Sequence, residues 1–211
     1  MPTGCTLAAA GCLALSLAYA QPPVPPTGPI TTFGVTVVDP FGLRGEIYLL
    51  RPGTEELPKF EKLKSIGAIY TSGLNIPPRD FLEGFPGITD RFEWFAIDYT
   101  GRFWVTRPGL YRWSLLSDDG SKLYIDGGLV IENDGTHPPQ EQRGECELKE
   151  GMHRIRVSYF QGPRMDVALV FRVALPGERF RLFRTVDFKP PEGAQWSDPG
   201  EEAERKKGRK K

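Results

Sequence analysis

Two adjacent carboxylates, in Ser117-Asp118-Asp119-Gly120-Ser121, are the first residues in this chain whose types and spacing suggest chemistry. One reading is a hairpin, since Asp-Gly is a strong two-residue turn signal and the serines can hydrogen-bond the local backbone. The other is a cation site. Neighbouring strand residues point to opposite faces, so two adjacent carboxylates share one ion only if the chain departs from that geometry. A cis peptide between Asp118 and Asp119 turns both to the same side. Ca2+ suits such a place, because it is hard, takes six to eight oxygens and tolerates irregular geometry. The two readings are compatible.

Catalytic signals are missing by comparison. The chain has two histidines, His137 and His153, and no HExxH, GxSxG, phosphate-binding glycine loop or zinc-type cysteine spacing. His153 shares a strand face with Ile155 and Val157, which reads as a satisfied core residue. A glycosidase needs two carboxylates across a cleft, and 27 acidic residues offer such pairs by accident, so they point to nothing. No catalysis is expected.

The elements that must position the acidic pair are strands. Tyr111, Trp113 and Leu115 share one face; so do His153, Ile155, Val157 and Tyr159, and so do Val167, Leu169, Phe171 and Val173. Further candidates are Val35–Val38, Gly45–Leu50, Phe92–Tyr99, Arg102–Thr106, Lys122–Asp126, Leu129–Glu132, Gly144–Leu148 and Arg179–Arg184. Such alternation marks half-buried antiparallel strands. Turn dipeptides fall between them, among them Thr100-Gly101, Pro108-Gly109, Asp134-Gly135 and Glu150-Gly151. The pattern predicts an all-β domain over 33–188, an antiparallel β-sandwich or squat barrel. A helical turn is expected at Glu55–Lys64 and a long loop at Tyr70–Asp90.

Gly and Pro make up 24 and 20 of the 211 residues, well above average usage, yet 13 Phe, 7 Tyr and 4 Trp exclude a disordered polymer. Net charge is zero, which argues against nucleic acid as a partner. Residues 1–20 hold no charged side chain. Leu7–Ala18 is too short to span a bilayer, which takes roughly 20 apolar residues, and Ala18-Tyr19-Ala20 has the small-x-small pattern of a signal-peptide cleavage site. The expectation is a chain secreted, periplasmic or displayed at the cell surface, with no membrane span after cleavage near Ala20. Cleavage leaves Cys146 alone, on the inward face of a strand as an inert buried thiol. Residues 21–32 read as a Pro-rich linker and 189–211 as a disordered charged tail whose basic end offers contact with an anionic cell-envelope polymer.

The run Gly109–Gly127, containing Ser117-Asp118-Asp119-Gly120, resembles the core of the protective-antigen-fourteen (PA-fourteen) domain family. So do Asn133-Asp134-Gly135-Thr136-His137 and Gly151–Phe160, and Phe92–Gly101 matches the family's entry strand. The resemblance implies a β-sandwich module of secreted glycosidases, adhesins and toxins, several of which bind carbohydrate through a Ca2+ held by a cis Asp-Asp pair. On that pattern Asp118 and Asp119 are the paired ligands. The position of a further Asn ligand in adhesin members falls at Gln161, whose amide oxygen lies one methylene further out. Asn133, Asp134 and Asp166 can border the same rim, although turn-making or a solvated charge explains each of them. Trp104 lies opposite Phe103 and Val105 and is the better stacking platform for a sugar ring; alternation puts Trp113 in the core.

The expected function is an exported, Ca2+-dependent carbohydrate-binding module whose partner is a glycan or polysaccharide. The alternative is a structural or protein-interaction module of the cell envelope in which Ca2+ only stiffens loops. A small glycoside hydrolase is the remote third.

Overall fold

The period-two alternation becomes two facing antiparallel sheets, with no α-helix among the described residues. The computed structural model describes residues 42–88, 91–163 and 165–194. The expected leader, the Pro-rich linker, the strand at Val35–Val38 and the tail beyond Ala194 lie outside the described residues.

The first sheet is built from β1 (Leu43–Leu49), β2 (Gly67–Thr71), β4 (Phe95–Val105), β6 (Ser121–Ile125), β7 (Gly128–Asn133) and β9 (Gly151–Gln161), in the order β2-β1-β4-β9-β6-β7. The second has β5 (Gly109–Asp118), β8 (Gln140–Leu148), β10 (Asp166–Ala174) and β11 (Arg181–Leu182), ordered β11-β10-β5-β8. The short strand β3 (Asn75–Asp80) pairs with β10 as well.

Three expectations need correction. Phe92–Tyr99 and Arg102–Thr106 are not two strands with a turn at Thr100-Gly101; they form the single strand β4, paired with β9 from Phe95↔Gln161 to Val105↔Gly151. Gly101 serves close packing there, since a Cβ would lie 2.8 Å from Leu43 Cδ2. The predicted loop at Tyr70–Asp90 contains β3 and the end of β2. Pro77-Pro78 concealed β3, yet proline is tolerated on an edge strand, and β3 pairs with β10 alone among the described strands. The helical turn at Glu55–Lys64 shrinks to a 3-10 turn at Phe60–Lys62.

Between the sheets the inward-facing side chains form one apolar core. Trp113 sits at its centre, stacked on Phe171 with ring centroids 5.6 Å apart and meeting Phe103 of the opposite sheet edge-on at 5.7 Å. Its Nε1 donates to Cys146 Sγ at 3.2 Å; the thiol packs against the core from the inward side but is half-buried, not buried as expected. Truncating such an aromatic residue typically costs about 3–5 kcal/mol. This rigid interior fixes the strand ends. Ala168↔Asp118, Phe95↔Gln161 and Ser121↔Tyr159 are register partners, which brings the acidic pair, Gln161 and Asp166 to one end of the sandwich.

Candidate functional site

At this end the core-facing positions turn polar. Along β5 the inward series Tyr111, Trp113, Leu115 continues with Ser117; along β9 the series Ile155, Val157, Tyr159 continues with Gln161. Buried polar groups need partners, and these have them. Ser117 Oγ and Ser121 Oγ lie 2.7 Å apart across the turn. Asn133 Nδ2 donates to Ser117 Oγ at 3.0 Å and to the Gln140 carbonyl at 3.1 Å, while its Oδ1 accepts from Gln140 Nε2 at 2.9 Å.

The Asp118–Asp119 peptide above this network is cis. The two residues are only 4% and 3% exposed. Asp119 is clamped by two backbone donors: the His137 N–H reaches Oδ1 at 3.1 Å and the Gly162 N–H reaches Oδ2 at 2.7 Å. Glycine is required at 162 because a Cβ would sit 2.9 Å from that same oxygen. It is required at 120 because a Cβ would sit 2.4 Å from Phe160 Cε1.

Burial pushes the Asp118 carboxyl up to about 7, and the negative charges of Asp119 and Asp166 add to it; His137 and the Gln161 amide act against them. Burial also raises Asp119, against the pull of the Gly162 and His137 N–H groups. Neither carboxylate is ion-paired to a described lysine or arginine. Two buried acids that repel one another present carboxylate oxygens, the hard ligands with which a hard cation offsets the unfavourable charge. The donor set therefore fits Ca2+. Among the described residues no three His, Cys, Asp or Glu side chains converge as a metal cluster, so protein carboxylates supply only part of such an ion's shell.

The other expected residues separate into two groups. Gln161, fully buried, lies at the site; its Oε1 is 2.6 Å from the Tyr159 hydroxyl, which is also 2.7 Å from the Asp118 carbonyl. Gln161 Nε2 donates to the Asp166 carbonyl at 3.1 Å, so Asp166 borders the site through its backbone as well as its charge. Asn133 lies beneath the site with its amide atoms committed to Ser117 and Gln140. Asp134 pins the neighbouring segment, accepting from Leu57 N–H at 2.8 Å and pairing with Lys122 Nζ at 2.8 Å. Trp104 stands apart. It pairs with Met152 at the far end of β4, nine residues from Phe95 and so about 30 Å along the strand from the acidic pair. It is no stacking platform for this site; the tryptophan that borders it is Trp94, whose N–H donates to the Gly162 carbonyl at 3.3 Å.

Sequence reasoning missed the Ser117–Ser121–Asn133–Gln140 network and Tyr159. The signal was there for the network: Ser117 occupies the register position after Trp113 and Leu115, and a polar residue on a core-facing position asks for a buried partner.

Comparison with known proteins agrees with the two-sheet fold. The family model of the PA14 domain matches residues 78–178. No curated protein sequence matches the chain. Among solved structures, the PA14 domain of the MpAFP antifreeze protein is similar with a TM-score of 0.58 and 17% identity, over 69% of this chain and 88% of that one. The PA14 sugar-binding domain from an RTX adhesin gives 0.56 and 18%, over 69% and 96%. An anti-sigma factor domain-containing protein gives 0.54 and 20%; the match covers 75% of this chain but only 51% of that one, about half its length. At these identities the structures speak for the fold: the chain shares the fold of solved PA14 (protective-antigen-fourteen) domains, and the model of that family matches its residues 78–178.

Proposed function

We propose that the domain binds carbohydrate through a Ca2+ held by Asp118 and Asp119, with vicinal sugar hydroxyls completing the ion's coordination. The observation that carries this reading is the pair of buried, mutually repelling carboxyls with no ion-paired lysine or arginine among the described residues. A bound ion supplies the missing positive charge and open positions for hydroxyl oxygens. The chain's part is to hold the acids still: the Gly162 and His137 N–H groups orient Asp119, and Tyr159 anchors the Asp118 backbone.

Binding without catalysis is the accompanying proposal. Both imidazoles are spent on structure: His153 contacts Asp126 and the Lys149 carbonyl, and His137 contacts the Pro138 and Asn133 carbonyls. The run Leu7–Ala18 before Ala18-Tyr19-Ala20 supports export, to surroundings where extracellular calcium modules work at roughly 10⁻⁴–10⁻³ M affinity.

Titration calorimetry with CaCl2, followed by a glycan panel with and without chelator, tests the reading. Sugar heat that disappears with the chelator is the expected result. A calcium-dependent rise in melting temperature with no sugar heat replaces it with the structural module, and absence of any calcium binding overturns the site.

A further inference from the structure

We infer that the outward face of the first sheet is a second binding site, separate from the acidic pair and independent of calcium, and that its ligand is a polysaccharide of uronic acids.

The face is laid out by register. One row crosses five strands: Tyr70 on β2, Arg44 on β1, Thr100 on β4, Arg156 on β9 and Tyr124 on β6. The next row sets Arg102 of β4 directly opposite Arg154 of β9. Alternation turns these residues outward, because Tyr99, Phe103, Ile155 and Val157 between them fill the core. Thr100 is the short residue at the centre, and it is exposed. Arg44 and Arg156 stand one strand to either side of it, about 10 Å apart, and Arg102 stands about 7 Å further along β4. A small hydroxyl residue thus forms a shallow floor among four arginines.

The charges on this face are unevenly matched. Arg44 pairs with Glu46. Arg156 Nε donates to Asp98 Oδ1 at 2.8 Å, and its guanidinium lies over the Tyr124 and Phe60 rings, 5.4 and 5.5 Å from their centroids. Glu46 and Asp98 are themselves register partners, on the side of Thr100 nearer the acidic pair. On the other side Arg102 and Arg154 oppose one another, and like charges placed directly across two strands repel. The acid beside them, Asp126, is engaged by His153 Nδ1 at 2.6 Å. An anion lying over this pair relieves the repulsion.

The layout selects the ligand's chemistry. The guanidinium fork matches a carboxylate with two parallel hydrogen bonds. An open sheet face does not enclose a single small anion, whereas cations spread over three strands meet a repeating one. The spacing of the strands is close to the length of one sugar residue. Tyr70, 41% exposed at the edge of the row, adds a ring against which the apolar face of a sugar can pack. The chain's zero net charge lacks the broad basic field of a nucleic-acid binder.

Titration calorimetry with oligogalacturonate, and retention on immobilised polygalacturonate, test the site in buffer containing EDTA. The unmodified chain should bind both without calcium, bind less as NaCl rises, and ignore neutral dextran. Arg102→Gln combined with Arg154→Gln should weaken binding about tenfold, and Arg44→Gln about threefold. Calcium affinity should be unchanged in these variants. Circular dichroism melts establish that each is folded, and Arg44→Gln serves should the double variant not fold. Undiminished binding in the folded variants overturns the inference, as does no binding by the unmodified chain. Equal retention on single-stranded DNA overturns it too, by making the face a general polyanion surface. So does loss of binding when Arg205, Lys206, Lys207, Arg209, Lys210 and Lys211 are changed to Gln in the full-length chain, which puts the contact in the tail. A chain that binds polygalacturonate in EDTA but takes up no calcium upholds this inference and strikes only the calcium reading.

Discussion

Strand β6 is flanked by acidic turns at both ends, and the two treat their carboxylates in opposite ways. At its far end Asp126 makes the tight turn before β7 with a left-handed φ of 50°. Its Oδ2 lies 2.6 Å from His153 Nδ1, and its Oδ1 accepts from the Arg154 N–H at 2.8 Å. Burial raises its pKa, but the His153 and Arg154 hydrogen bonds outweigh that and leave it below the ordinary value. The imidazole has acceptors at both nitrogens, Asp126 and the Lys149 carbonyl, and the Asp126 hydrogen bond raises its pKa, so the pair is complete within the chain. At the near end Asp118 and Asp119 are more deeply buried, face each other, and have both pKa values raised. A turn acid that brings its own counter-charge is holding the fold. One that is buried against a like charge is, on the calcium reading proposed above, the place for charge from outside.

The largest expected effect strikes that difference directly. Asp119→Asn removes one carboxylate and sets an amide against one of the two N–H groups that clamp it, and we expect calcium affinity to fall by about 100-fold or more, read by calorimetry. Asp126→Asn, at the other end, should leave calcium affinity within about twofold. Its cost should appear in denaturant unfolding instead, at about 1 kcal/mol or less, because the charge lost beside half-buried His153 is itself half exposed and screened by solvent. Equal calcium loss in both variants would erase the distinction between the two ends.

How much of this was legible in the sequence depends on the range of the interactions involved. Period-two alternation is a local property, so β5, β9 and β10 could be read with the correct inward faces, and Trp113 with them. The Asp118–Asp119 pair was legible as a motif. Local reading failed where a distant neighbour decides the outcome. Thr100-Gly101 looks like a turn until Leu43 is seen packed on Gly101, and Pro77-Pro78 looks like a loop until β10 is seen pairing with it on one side. The site's supporting shell is of the same kind: His137, Tyr159 and Gly162 reach the acidic pair from 18 to 43 residues away along the chain. Trp104 failed for another reason. Alternation gives the face of a strand, not the end of it on which a residue stands.

A smaller effect, and a sharper test of the contrast, lies in pH. The Asp118 carboxyl titrates near 7 when folded, above its ordinary 3.8, so the folded state holds the proton more tightly. Its contribution to stability is complete below about pH 4 and is lost as pH rises through 7, at no more than about 1.4 kcal/mol per pH unit. Asp119, raised too, acts in the same direction. Chelated protein should therefore melt at falling temperatures between pH 4 and 7, and Asp118→Asn should flatten that slope. Saturating calcium should lift the high-pH end most. Asp126 has the opposite sign: its stabilisation is present above its unfolded pKa and lost as pH falls through the lower folded one. Asp126→Asn should accordingly leave the fall toward pH 7 in place.

The smallest expected effect concerns the two tryptophans, which divide between the same two ends. Trp104 is partly buried at the end remote from the acidic pair, and its Nε1 has no hydrogen-bond partner among the described residues. Trp104→Phe removes an unpaired donor together with some apolar area, and these changes oppose one another. Stability should move by less than about 1 kcal/mol, and calcium and sugar affinities should stay within about twofold, because no contact joins this residue to the site. Trp94 offers the contrast. Its backbone holds the Gly162 carbonyl, and its ring packs with Tyr48, Leu50, Phe60 and Phe160. Trp94→Ala should loosen the loop that clamps Asp119 and so weaken calcium binding several-fold alongside its cost in stability. Should Trp104→Phe weaken sugar binding while calcium affinity holds, the ligand contacts the far end of β4, and the acidic pair is not where the sugar sits.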